Sequence, residues 1–316
     1  GSMNEGLVLL VETQQDAQAP QKASSARQNQ SEKAAVQTAP DAQTVRLLDG
    51  GAVTALSMED YLTGVLLSEM PADFETEARK AQAVAARTFT CRKLLQPKHE
   101  NADVCAEASC CQAWTSREQL RQKYGASFDA VWSAAREAVR QTAGQVLTYD
   151  GQLIDAVYFS CSGGATEAAV AVWGTDVPYL QAVESPGEEA APRFSSRAVF
   201  SPEEFSQRLM QENPDVQLSG SPDAWLGETT RSAGGGAATC SIGGVSFSGT
   251  QLRRMFGLNS TRLTLSYQDG DFVFDVTGFG HRVGMSQYGA QTMAQLGFSY
   301  RTILQYYYQG AEVERQ

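Results

Sequence analysis

No stretch of this 316-residue chain approaches the roughly 18 consecutive apolar residues that a membrane-crossing helix requires. The longest early run, Leu-Val-Leu-Leu-Val at 7–11, is far too short. A basic excess is also missing. Lys and Arg number 25 against 36 Asp and Glu, for a net charge of -11 and a pI near 4.8. That excludes the usual footprint of a nucleic-acid binder and excludes bulk-charge attachment to an anionic surface, although a local basic groove remains compatible. There is no internal repeat and no alternation of strand, helix and strand, which argues against a parallel α/β fold. Residues 12–44 almost lack large apolar side chains and consist of Gln, Ala, Ser, Lys and Glu, the composition of a disordered linker. The opening Gly-Ser-Met has the look of a cloning scar. The expectation is therefore a scar and linker over 1–44, following a removed membrane anchor, and one folded domain over 45–316. A terminal tail with no role fits residues 12–44 equally well.

What is present suffices for a core, since 42% of the residues are hydrophobic. Val45–Leu56 reads as strand, Asp-Gly-Gly turn, strand. Ser57 opens a helix, with Asp60 completing a capping box, and Pro71 sets its end. A second helix covers about 76–95 and a third 128–142, with Gly144 as its stop. Hairpins are expected about Asp150-Gly151 and within Leu263–Val276. Ser201-Pro202-Glu203-Glu204 starts another helix, 219–244 reads as loop, and the tail from Ser299 is a final helix. The class is α+β, with helices and antiparallel hairpins forming two lobes around a groove.

One residue breaks this pattern. Met58, Tyr61, Leu62, Val65 and Leu66 share a helix face, and the next position on it is Glu69. A carboxylate there is costly unless paired, neutral or needed. Desolvation and the negative end of the helix dipole would both raise its pKa, which suits a general acid for a glycosidic oxygen. The bland alternative is a side chain that frays into water or pairs with a lysine. Lys80 and Arg87, seven apart, stack on one face of the second helix, as solvated charges or as groups aimed at Glu69.

Three separated segments resemble the stage II sporulation protein D family. The first is Glu69-Met70-Pro71 with Phe74, Glu77-Ala78 and the run Lys80-Ala81-Gln82-Ala83-Val84-Ala85-Ala86-Arg87-Thr88. The second is Tyr158-Phe159-Ser160-Cys161-Ser162-Gly163-Gly164, where Cys161 replaces a commoner Ser or Thr. The third is Gly278-Phe279-Gly280-His281-Arg282-Val283-Gly284-Met285-Ser286-Gln287-Tyr288-Gly289-Ala290, where Arg282 replaces the usual Gly. The resemblance covers roughly Val45 to Gly310. It implies a lytic transglycosylase of peptidoglycan acting on glycan strands stripped of stem peptides, in engulfment during sporulation. It also implies an extracytoplasmic, membrane-anchored location, a partner amidase (SpoIIP-like) and a membrane scaffold (SpoIIM-like). The matching catalytic acid is Glu69. Lys80 and Arg87 match positions tied to substrate binding or activity, and Ser160, Ser162, Gly163, His281, Ser286, Gln287 and Tyr288 fall in the segments expected to bind the strand.

A hydrolytic glycosidase needs two carboxylates, and this chain offers one well-placed candidate. A lytic transglycosylase needs no second one, because the muramic C6 hydroxyl attacks C1 intramolecularly and gains from proximity. Arg87 or Lys80 would bind the lactyl carboxylate that peptide removal exposes. A second class of function, a non-catalytic glycan-binding module that stimulates an amidase, is compatible with the fold alone.

Residues 99–111 hold His99, Cys105, Cys110 and Cys111, four soft ligands within 13 residues. Such a set suits tetrahedral zinc. A similar His-Cys-His-Cys loop occurs in clostridial members of the family, with Cys110 here in place of the second His. Four protein ligands leave no open position, so the role would be structural, and a zinc hydrolase fails on ligand count. Free thiols or a Cys105–Cys111 disulfide remain the alternatives. A cysteine nucleophile would need a base, and with His99 engaged only His281 is left.

Overall fold

The computed structural model describes residues 43–316. The expected scar and linker lie outside the described residues, except for Gln43 and Thr44. The described chain divides into two compact units. One comprises residues 43–157 together with Met293–Gln316, and the other Tyr158–Thr292.

The first unit opens with β1 (Thr44–Asp49) and β2 (Ala52–Ser57), an antiparallel hairpin. Its turn needs left-handed backbone at Gly50 and Gly51, with φ of 55° and 87°. The Ser57 hydroxyl accepts from the Asp60 N–H at 3.1 Å and starts α1 (Met58–Glu69). After Pro71 comes α2 (Thr76–Leu95), then β3 (Val104–Cys105), which adds to β1 in parallel. A Ser116/Gln119 capping box opens α3 (Arg117–Tyr124), and α4 (Phe128–Gln141) follows. β4 (Gln145–Tyr149) and β5 (Gln152–Leu153) form the hairpin about Asp150-Gly151. The chain returns to this unit as a closing helix, Tyr300–Tyr307, and a closing strand, Glu312–Arg315, which pairs antiparallel with β4. The strand escaped the sequence reading because Glu-Val-Glu-Arg is largely exposed and carries no apolar alternation.

The core of this unit forms where α1, α2 and α4 meet, with α2 laid on β4. The whole predicted stripe of α1 is buried, and so are Thr63, Gly64 and Leu67. Each fully buried Leu or Val contributes roughly 1.5–3 kcal/mol. The helix is covered on its far side by the chain that follows the cysteines. A Cβ on Gly64 would stand 2.3 Å from the Trp114 indole nitrogen, so only glycine admits that ring.

The second unit contains β6 (Tyr158–Phe159), β7 (Gly164–Ala165), α5 (Ala169–Trp173), β8 (Glu184–Ser185), β9 (Ser195–Phe200) and α6 (Pro202–Glu212). It continues through β10 (Leu226–Arg231), β11 (Ala237–Ile242), β12 (Val245–Ser248) and α7 (Gly249–Phe256). β13 (Arg262–Gln268), β14 (Asp271–Thr277), β15 (Met285–Ser286) and α8 (Gln287–Gln295) complete it. Its frame is two antiparallel sheets, ordered β10-β11-β12 and β13-β14-β9. The stretch 219–244, expected as loop, thus carries two strands that make up nearly half of it. Five of the six β10 residues are exposed, so no apolar alternation marks the strand. Its pairing rests on backbone bonds and a 2.6 Å contact between the Thr230 and Thr239 hydroxyls. The core joins the sheets through Phe205, Phe247, Phe256, Phe272 and Phe274, with the Phe205 and Phe272 rings stacked at 3.8 Å.

Replacing the fully buried Phe272 with alanine removes the centre of this stack. Phe272→Ala should destabilise the protein by about 3–5 kcal/mol, measured by urea unfolding. A loss below about 1 kcal/mol would mean that the cluster closes over the gap.

Candidate active site

Glu69 is the last residue of α1, half-buried, and its Oε1 accepts the Ala113 N–H at 2.8 Å. The segment that supplies this donor follows directly on the cysteines and is fastened to the helices along its length. Gln112 donates to Tyr61 Oη at 3.2 Å and to Thr90 Oγ1 at 3.0 Å, and Ser68 donates to Thr115 Oγ1 at 2.8 Å. On the other side of the cysteines, Asp103 forks onto Arg46, at 2.6 Å in its shortest contact.

Between these anchors, the ligand atoms of His99, Cys105, Cys110 and Cys111 all lie within 4.8 Å of one another. His99 Nε2 is 3.7 Å from Cys110 Sγ and 3.6 Å from Cys111 Sγ. Zinc bonds of about 2.0 Å to nitrogen and 2.3 Å to sulfur place tetrahedral ligands roughly 3.5–3.8 Å apart. The donor set therefore fits that ion in both chemistry and spacing. Lys98 Nζ lies 3.2 Å from Cys110 Sγ, a cation beside a sulfur-rich cluster. No disulfide joins any of the six cysteines, Cys105 and Cys111 included.

Lys80 and Arg87 have partners within the first unit. Lys80 Nζ pairs with Glu77 at 2.8 Å, while the other Glu77 oxygen accepts from the Tyr300 N–H at 2.8 Å, at the start of the closing helix. Arg87, expected on the substrate side, has no exposed surface. Its guanidinium donates to Val139 O at 2.9 Å and to Gln145 O and Thr142 Oγ1 at 3.3 Å. It thus serves carbonyls that the end of α4 leaves without helical partners, where the helix dipole also favours a cation.

The second unit brings the other two segments together. β6 and β15 pair in parallel, with Tyr158 opposite Met285 and Phe159 opposite Ser286, and Ser160 O accepts the Tyr288 N–H at 3.0 Å. Gly163 and Gly278 both adopt left-handed backbone, φ 77° and 84°. A Cβ on the first would meet Thr277 at 2.9 Å and on the second Ser162 O at 2.7 Å. Beneath this junction lies Glu188, a residue that the sequence reading missed. Its carboxylate receives Ser162 N and Oγ at 2.7 Å each, Gly163 N at 3.0 Å, Ser185 Oγ at 2.7 Å and Ser286 Oγ at 2.5 Å. Burial raises its pKa, and the serine hydrogen bonds oppose that shift. Ser162 and Ser286 are fully buried and Gln287 nearly so, whereas Ser160 and Tyr288 are partly exposed.

Arg282 keeps the left-handed conformation expected of the glycine it replaces, φ 66°. Its guanidinium reaches Ser162 O at 2.7 Å, Ala165 O at 2.7 Å, Gly234 O at 2.6 Å and Glu167 Oε1 at 3.1 Å. Burial lowers its pKa to about 10, so it remains a cation at neutral pH. The run Gly234-Gly235-Gly236 wraps this pair closely, since a Cβ on Gly236 would stand 2.2 Å from Glu167 Oε1.

A profile of the family described as Stage II sporulation protein matches residues 49–149, which span Glu69, α2 and the cysteine cluster. The stage II sporulation protein D of Bacillus subtilis (strain 168) is 36% identical over 303 residues, covering 90% of this chain and 85% of that protein. That of Bacillus amyloliquefaciens is 37% identical over 265 residues, covering 83% and 75%. The chain belongs to the stage II sporulation protein D family. It is also similar to an amidase enhancer of Bacillus subtilis (strain 168), 30% identical over 301 residues, covering 79% of this chain and 39% of that protein.

In this sporulation-family chain, the histidine of the third segment is held in place by its surroundings. Val283 N–H donates to His281 Nδ1 at 3.1 Å, and the ring also bonds the Tyr158 backbone. The imidazole lies between Phe159, 5.6 Å away, and Trp173, 5.4 Å away. Burial first, then the Arg253 charge, lowers its pKa to about 4, so it is neutral at physiological pH. Trp173 is 48% exposed. No sequence motif singles it out, and its place against His281 is what marks it.

Because the folded protein disfavours protonated His281, this group's stabilisation is complete above its unfolded value of 6.5 and is lost as pH falls towards about 4. The loss should be roughly 2–3 kcal/mol. Urea melts of the wild type and His281→Gln at pH 7 and pH 4.5 should converge at the lower pH. A constant difference between them would refute the assignment.

Proposed function

We propose that this chain is a lytic transglycosylase that cleaves the MurNAc–GlcNAc bond of denuded peptidoglycan strands and forms 1,6-anhydro-MurNAc, with Glu69 as acid and base. The reading is supported above all by Glu69, a half-buried carboxyl at a helix end whose orientation is fixed by a backbone N–H. In the reaction, Glu69 gives its proton to the glycosidic oxygen as the C1–O4 bond breaks. The C6 hydroxyl closes on C1 and its proton passes to the Glu69 carboxylate, which restores the acid. Atoms balance without water, so a second carboxylate is not needed.

The strand-binding surface would include Ser160, Tyr288 and the exposed indole of Trp173, which offers a flat face to a sugar ring. Ser162, Gly163, His281, Ser286 and Gln287 would act by shaping that surface. Lys80 and Arg87 would act by holding the framework of the first unit, through Glu77 and through the end of α4 and β4. His99, Cys105, Cys110 and Cys111 would hold structural zinc, which supplies cross-linking of the loop ahead of Ala113. Membrane anchoring, engulfment and the amidase and scaffold partners belong to the same reading. The name of the amidase-enhancing relative supports a second one, a glycan-binding module that stimulates an amidase without cutting glycan.

Glu69→Gln should lower turnover of denuded strands by about 10²–10⁴-fold while strand binding persists, measured by product release and by pelleting with the polymer. Equal turnover in both proteins would exclude Glu69, and binding with no turnover in the wild type would favour the module. Separately, the protein should bind zinc stoichiometrically, and cobalt substitution should give a thiolate-to-metal absorption band that Cys105→Ser weakens. A metal-free purified protein with a Cys105–Cys111 disulfide would overturn the zinc site.

A further inference from the structure

The second unit carries a cleft of about 520 Å³ along β13 and β14, at the turn between β10 and β11. Its polar walls are Arg231, Arg262, Ser195, Thr264 and Thr277, with Gly235 at the turn. Strand register puts three of these in one row on one sheet face, because Arg262 stands opposite Thr277 and Thr277 opposite Ser195.

The cleft's charged groups differ in how they are paired. Arg282 is balanced by Glu167, and Arg197 takes both oxygens of Asp275, the carboxylate among the lining residues, at 2.8 and 3.2 Å. Arg231 and Arg262 have no carboxylate partner among the described residues. The guanidinium of Arg262 makes one long hydrogen bond, 3.3 Å to Gly234 O, and that of Arg231 one to Leu263 O at 2.6 Å. Most of their N–H donors are therefore left for a ligand or water. Both guanidiniums face the same cleft, whose remaining polar lining is hydroxyls and the Asp275 that Arg197 holds.

The backbone is shaped around one of them. Gly235 has φ of 77°, and a Cβ there would stand 3.0 Å from Arg262 Nη1. Any other residue would be strained and would crowd the guanidinium. On its other side Arg262 lies under Gly164, where a Cβ would be 3.7 Å from both terminal nitrogens. The cleft thus backs directly onto the Ser-Gly-Gly turn.

We propose that this cleft is an oxyanion site, and that its ligand is the lactyl carboxylate of muramic residues in denuded strands. A guanidinium fork matches a carboxylate in two parallel hydrogen bonds, and the Ser and Thr hydroxyls suit the adjoining sugar. The inference rests on the glycan reading above and deepens it. On that reading a preference for denuded strands has its source in these two arginines, whereas Arg87 is turned inward and Lys80 is paired with Glu77. In strands that keep their peptides, the same carboxylate is an amide and carries no charge.

The test uses Glu69→Gln protein, which prevents turnover, and isothermal calorimetry with three probes. They are a GlcNAc–MurNAc saccharide with a free lactyl carboxylate, its lactyl amide, and inorganic phosphate. The free acid should bind best, and Arg262→Gln or Arg231→Gln should weaken it about 10-fold or more. Arg262→Lys, which keeps the charge and loses the fork, should fall between. Thermal melts identify a variant that has merely unfolded. Equal binding of acid and amide, or no effect of any arginine variant, would overturn the proposal. Preference for phosphate would overturn the carboxylate assignment and point to a phosphate-bearing wall polymer. Digestion of denuded strands by otherwise wild-type protein separates the two levels. Anhydro products with unchanged KM in the arginine variants would sink this site alone, and an absence of those products would sink the catalytic reading.

Discussion

A hydrogen bond from the Ala113 backbone to the Glu69 carboxyl ties the end of the first helix to the segment after the cysteines, and the candidate acid's orientation depends on it. Glu69 ends its helix, where a side chain has one turn of support behind it and a proline two residues ahead. Without an external partner it would sample several rotamers. Ala113 supplies that partner, and Ala113 is itself fixed because Gln112 and Thr115 bond the helices on either side of it. The cysteine cluster closes the base of the same segment. The segment that follows the candidate zinc loop is therefore the clamp of the candidate acid.

The second unit solves a similar problem with buried charge. Two carboxylates, Glu188 and Glu167, lie under the Ser-Gly-Gly turn, and each meets hydrogen bonds from a different segment. Glu188 joins the turn to Ser286, and Glu167 joins Arg282 to the glycine run. Buried ionic groups of this kind gain little net stability over apolar packing. Their effect is to hold one loop arrangement against its alternatives, because breaking a bond leaves a buried polar group less satisfied.

Much of this was legible in the sequence. The apolar stripe of α1, the Ser57 and Ser201 caps, the two Asp-Gly hairpins and the grouping of four metal-type ligands all follow from local rules. The Ser-Gly-Gly and Gly-His segments stood out by residue pattern alone, and their parallel pairing through β6 and β15 is seen only in the structure. What escaped were directions. A serine hydroxyl turns towards its nearest strong partner, and for Ser286 that partner is 98 residues away in the chain. Arg87 lies on a helix face that reads as either solvated or functional, and its burial depends on where α4 happens to end. The strands β10 and β11 were hidden because exposed threonines and glycines give no hydrophobic period.

The central claim is that one carboxyl breaks the glycosidic bond without activating water. Digestion of denuded strands in oxygen-18 water tests it most directly. The account predicts anhydro-muramic ends that contain no heavy oxygen. New reducing ends in place of anhydro ends, in number equal to the bonds cut, would contradict it, because they require a water nucleophile and a second group to activate it.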